Sequence, residues 1–140
     1  MSGFIGEFFG TLVLIVLGTG CGAAINLQKS YAKGASWLYV TIAWGMAVTF
    51  GVYVAASLGS QGHLNPAVTI GFASFGFFPW SEVGPYLLGQ FLGAFVGAAL
   101  VAIQFYPHFK ATKTSEAGNN VGIFATAPAI KNNLFNFLSE

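Results

Sequence analysis

Three long apolar stretches, almost free of charge, divide the chain at residues 4–27, 36–58 and 84–106. Each meets the roughly 20 residues a helix needs to cross the about 30 Å hydrocarbon core of a bilayer. In lipid every backbone N–H and C=O must be met within the protein, so three spans predict an all-α membrane fold. Between the second and third spans the pattern changes. Asn65 stands directly before Pro66. Asn can cap the first orphan N–H groups of a helix, and Pro fits the first helical position without losing a bond. The helix opened there covers about residues 66–78, roughly 12 residues or about 18 Å. That is too short to span. A capped short helix set between two spans predicts a re-entrant half-helix. Its positive dipole end and free carbonyls would face a cavity lined by protein.

The connecting segments are uneven. Residues 28–35 form a short polar link carrying Lys29 and Lys33, and residues 79–82 read as a turn plus N-cap. Trp37, Tyr39 and Trp80 lie near span edges, where aromatic rings anchor at the interface. Trp44 is set deeper, about 12 Å along the axis from Ser36, and Gly45 beside it would leave room for its ring. Gly89, Gly93 and Gly97 recur every fourth residue of the third span. Such a row lets another helix approach closely. Residues 107–132 make a polar connection of 26 residues, and His108 within it reads as an interfacial side chain without a partner.

Composition agrees with the pattern: 55% of residues are hydrophobic, 6% are charged, mean hydropathy is +0.70, and Arg and Asp are absent. A soluble domain carries about 25% charged residues, so the composition describes a multi-pass protein of the cell membrane. A net charge of +1 without any basic run argues against a nucleic-acid partner. The N-terminus lacks the basic region of a signal peptide, so the first apolar segment is expected to stay as a span. Cys21 is the single cysteine and cannot form an internal disulfide. The sequence offers no paired carboxylates, no Ser/His/Asp set and no metal-ligand cluster, so neither an enzyme nor a metal or cofactor site is expected. Glu7 is the exception to the apolar first span. A carboxylate in a span marks function unless it snorkels from near an end.

The string Gly62-His63-Leu64-Asn65-Pro66-Ala67-Val68-Thr69 resembles the first NPA box of the aquaporin and aquaglyceroporin family, the major intrinsic proteins. Gly6-Glu7-Phe8-Phe9-Gly10-Thr11 is similar to that family's first-helix signature, and residues 122–128 resemble its loop before the fourth helix. The resemblance implies that Glu7 accepts hydrogen bonds from the re-entrant loop's backbone. It implies that Asn65 donates to a permeating hydroxyl at mid-membrane, with Pro66 and Ala67 as structural members of the box. Carbonyls of Gln61, Gly62, His63 and Leu64 would form a ladder of acceptors, with Trp44, Leu14, Val48 and Leu64 as the apolar wall. Glycerol-conducting members carry an aromatic, typically Trp, where this chain has Trp44, whereas water-specific members usually carry Phe. The implied function is therefore a passive, glycerol-facilitator-like channel for glycerol, small polyols and water, in a lipid bilayer and as a homotetramer.

The family has two inverted repeats, each opening with a helix that carries a Glu. On that reading residues 1–132 are the first repeat, with three spans and one half-helix, and residues 133–140 begin the fourth helix, Glu140 being the counterpart of Glu7. The second box and the Arg of the selectivity filter would lie in the other half. Alternatives of function stay open: a water-selective channel, a non-conducting membrane packing or adhesion protein, or a half-transporter. Charge bears on orientation. Lys29, Lys33, Lys110, Lys113 and Lys131 all fall in the first and third connections, which the positive-inside rule places in the cytoplasm. The resemblance instead implies a cytoplasmic N-terminus, and that orientation is adopted.

Overall fold

A computed structural model describes residues 3–112, 120–126, 128 and 130–139; Lys113 and Glu140 lie outside them. Among the described residues three helices are long and apolar enough to cross a membrane: α1 (Gly3–Asn26), α2 (Trp37–Ser57) and α4 (Trp80–Gln104). The short helix α3 (Pro66–Ser74) falls between the second and the third. Beyond them come α5 (Tyr106–Ala111), one 3₁₀ turn (Asn120–Ile123) and α6 (Asn133–Ser139).

Small residues set the packing. A methyl group placed on Gly6 would lie 2.8 Å from the Ala55 carbonyl oxygen, and one on Gly10 would lie 2.8 Å from that of Gly51. Farther along, Gly18 faces the ring of Trp44. Rising numbers on α1 thus meet falling numbers on α2, and the two helices are antiparallel. Against α4 the order is parallel. Gly89 abuts the Phe4 carbonyl, Gly93 that of Phe8, and Gly97 that of Leu12. The glycine row of the third span is therefore filled by α1. Without a hydrophobic force between helices in lipid, this close backbone approach supplies the van der Waals contact that holds them.

Several boundaries differ from expectation. The short helix ends at Ser74 rather than near residue 78. Gly76, at φ 78°, takes the left-handed conformation that closes the end. The Phe77 N–H then reaches the Phe72 carbonyl at 2.8 Å and the Gly76 N–H reaches Ala73, and the rings of Phe72 and Phe77 meet edge to face. The third span begins at Trp80, earlier than residue 84, with Pro79 as its N-cap and Pro85 enclosed in the helix. The Glu82 N–H closes the first turn on the Pro79 carbonyl.

The polar connection 107–132 is partly ordered by α5, which opens with Pro107 in its first turn, and by the 3₁₀ turn. Ile123 from that turn is buried with Ala23, Leu27 and Val101. His108 also has a partner, contrary to expectation. Its Nδ1 donates to the Gln28 carbonyl at 2.9 Å, and the Gln28 N–H donates to Thr112 Oγ1 at 2.8 Å. These bonds tie the first connection to α5 and its C-cap.

Candidate functional site: a re-entrant hairpin hung on a buried carboxylate

After α2 the chain dips back between the helices. Leu64 marks the depth of that dip. Its two methyl carbons occupy the gap between Gly10 of α1 and Gly51 of α2, where added methyls would lie within 2.9 Å of them. Gly10 lies about 10 Å along α1 from Gly3, so the chain penetrates the span before α3 carries it out again.

The hairpin is a strained piece of backbone. Gly62 has φ 70°, and Leu64, a bulky residue, has φ 52°. A left-handed conformation at leucine is costly and persists only where the surroundings impose it. Here they do. Glu7 is wholly buried. Its Oε1 accepts from the His63 N–H at 2.9 Å and the Ser60 hydroxyl at 2.5 Å. Its Oε2 accepts from the Leu64 N–H at 2.7 Å and Gln90 Nε2 at 2.8 Å. Four donors from two parts of the chain, the re-entrant segment and α4, converge on two oxygens, and hydrogen bonds to a carboxylate are the strong kind. Gln90 Nε2 also reaches Thr69 Oγ1 at 2.9 Å, so the same amide fixes the half-helix. The Gln61 N–H donates to the Tyr86 hydroxyl at 3.1 Å.

At the turn, Asn65 caps α3: its Oδ1 accepts from the Ala67 N–H at 2.9 Å while Pro66 fills the first position. That bond orients the amide and leaves Nδ2 on an exposed side chain, ready to donate. Among the described residues no donor reaches the carbonyls of Gln61, Gly62, His63 or Leu64. The approach to the half-helix therefore offers four acceptors in succession followed by one donor. The N-terminus of α3 adds about half a positive charge at the same end.

One of the expected wall residues takes another place. The Leu64 side chain is buried between α1 and α2, and the ring of His63, a residue expected to act through its carbonyl, is buried among Phe72, Phe78 and Tyr86. Each can offer a permeant only its carbonyl, because the glycines and aromatic rings around the hairpin take up the side chain. Leu14 and Trp44 lie where α1 and α2 meet, Leu14 Cβ lying 3.2 Å from a methyl placed on Gly51, while Val48 is an exposed residue of α2. Room for the indole comes from Gly18, where a methyl would stand 2.5 Å from the Trp44 ring; Gly45 meets nothing within 4 Å. Ser60, Thr69, Tyr86 and Gln90 were not singled out from sequence. Gln90 carried a usable signal, being a polar side chain deep in an apolar span.

Three spanning helices with a half-helix among them, its bend hydrogen-bonded to a buried carboxylate and its carbonyls bare, define a multi-pass membrane protein with a re-entrant loop. The comparisons give the family. The profile of the family described as Major intrinsic protein matches residues 1–136, and the chain belongs to that family. It is 66% identical over 140 residues to glycerol uptake facilitator protein 2 of Lactiplantibacillus plantarum, covering all of this chain and 60% of that one. It is 47% identical to the glycerol uptake facilitator protein of Streptococcus pneumoniae, covering all of this chain and 58% of that one. Among solved structures it is similar to the aquaglyceroporin from Plasmodium falciparum at TM-score 0.69 and 37% identity, over 82% of this chain and 45% of that one. The chain thus spans 60% or less of the length of these relatives.

Proposed function

We propose that this chain forms one wall of a passive membrane channel for glycerol, other small uncharged solutes and water, acting together with a second repeat. In this reading residues 1–132 are the first repeat and residues 133–140 open the second, in a homotetrameric assembly within the lipid bilayer. The observation that carries the proposal is the Glu7-held hairpin. It lines up the free carbonyls of Gln61, Gly62, His63 and Leu64 ahead of the Asn65 amide. A solute that sheds its water inside a membrane needs replacement hydrogen bonds, and this ladder supplies acceptors for hydroxyl protons and a donor for a hydroxyl oxygen. Trp44, Val48 and Leu14 give the carbon chain of a polyol an apolar surface opposite. The end of α3 repels cations by its dipole, so the path favours neutral solutes.

The names of the relatives support glycerol as the permeant. The test is glycerol uptake by proteoliposomes carrying the protein made from its complete reading frame. Swelling faster than in empty vesicles is the expected result. Swelling no faster than in empty vesicles would mean that the fold serves packing alone.

A further inference from the structure

The network around Glu7 contains an asymmetry that a channel wall does not require. Among the described residues three buried side-chain atoms find no hydrogen-bond partner: Thr11 Oγ1, His63 Nε2 and Gln90 Oε1. The His63 atom has an account in its surroundings. Its ring is enclosed by Phe72, Phe78 and Tyr86 at centroid distances of 4.7–5.1 Å, an aromatic cage. No such account covers the other two.

The orientation of the Gln90 amide is dictated by its neighbour. Nε2 faces Glu7 Oε2, which also accepts from the Leu64 N–H, and Thr69 Oγ1, so the oxygen of Gln90 is the atom left over. Thr11 is unusual in its own way. Thr19, Thr49 and Thr112 each place the hydroxyl on the carbonyl four residues back. Thr11 does not, although Glu7 lies four residues before it on the same face of α1. Gln90 is 2% exposed and Thr11 4%. Both orphaned atoms are buried by this chain's own packing: Gln90 follows Gly89, which rests on Glu7, and Thr11 lies one turn beyond Glu7 on α1. A partner must fit inside, and it must be able to donate to an amide oxygen. Water meets both conditions.

We infer that Thr11 Oγ1 and Gln90 Oε1 hold one internal water between α1 and α4, a helical turn from Glu7. The water donates to Gln90 Oε1 and exchanges a second hydrogen bond with the Thr11 hydroxyl. Gln90 is then tied on both sides: its nitrogen to Glu7 and Thr69, its oxygen through water to α1. The water is thereby a positioning element of the re-entrant hairpin.

Two measurements on the intact protein test this. The first is a structure at a resolution that resolves ordered water. The inference expects a solvent peak within about 3.2 Å of both atoms. No peak with the rotamers unchanged, or a Thr11 hydroxyl turned onto the Glu7 carbonyl, overturns it. The second compares Thr11→Val with Thr11→Ser by thermal unfolding in detergent. Removing a hydroxyl that holds water lowers Tm by roughly 2–4 °C, and serine, which keeps the hydroxyl, restores it. A Thr11→Val protein as stable as the parent or more so would show a dry, unpartnered hydroxyl and refute the site. If Thr11→Val does not fold, the solvent peak decides.

Discussion

Replacing Glu7 by leucine removes the acceptor from four donors at once: the Ser60 hydroxyl, the N–H groups of His63 and Leu64, and Gln90 Nε2. The residue is wholly buried, so water does not take over. Each donor left unmet costs about 1–3 kcal/mol, which totals on the order of 4–12 kcal/mol as an upper bound. A folded protein is stable by only about 5–15 kcal/mol. Glutamine at the same position behaves differently. Turned with its nitrogen toward Ser60, it donates to that hydroxyl, which can reverse its role, while its oxygen still serves Leu64 and Gln90. One backbone N–H, that of His63, stays unmet, at about 1–3 kcal/mol. The expected order is therefore parent, then Glu7→Gln with measurable loss, then Glu7→Leu with little or no folded protein. Membrane-fraction yield and thermal unfolding in detergent read this directly. Equal yield and equal Tm for the two variants would refute the argument, because a carboxylate that merely snorkels to the interface has no four donors to lose.

Three further outcomes follow from the same geometry. Trp44→Phe is expected to shift preference from glycerol toward water without stopping flow, since a smaller ring changes the constriction and leaves the carbonyl ladder intact; an unchanged glycerol-to-water permeability ratio would make Trp44 a packing residue. Gly93→Ala is expected to lower Tm sharply because its methyl would collide with the Phe8 carbonyl, whereas Gly45→Ala, with nothing within 4 Å, should leave Tm within about 2 °C of the parent. Cysteine labelling at Ser30, between α1 and α2, is expected from outside the cell only; labelling from the cytoplasm alone would reverse the adopted orientation.

Much of this fold was legible because lipid leaves few choices. Three apolar runs of sufficient length had to be helices, and Asn65-Pro66 announced the half-helix with its cap and first residue. The role of Glu7 came from the resemblance, and in the structure its carboxylate accepts from two backbone N–H groups of the hairpin, those of His63 and Leu64. Side-chain destinations were harder to read. Leu64 and His63 belong to a strained turn whose φ values are set by what surrounds them, and nothing local shows that glycines on two other helices make a slot for Leu64. Gly45 looked like the space for Trp44 because it is adjacent in sequence, but on a helix an adjacent residue points about 100° away. The ring rests on Gly18, which shares a face of α1 with Leu14 four residues earlier. His108 looked solitary because its partner, the Gln28 carbonyl, is 80 residues distant and belongs to the backbone.

The most direct test of the channel reading is stopped-flow glycerol uptake by proteoliposomes containing the full-length protein, with Asn65→Leu in parallel. The account predicts uptake well above empty vesicles for the parent. For Asn65→Leu, which loses the donor at the bend and the α3 cap, it predicts uptake near the empty-vesicle rate despite insertion in the membrane. Parent protein that inserts and folds, yet takes up glycerol no faster than empty vesicles, would contradict it.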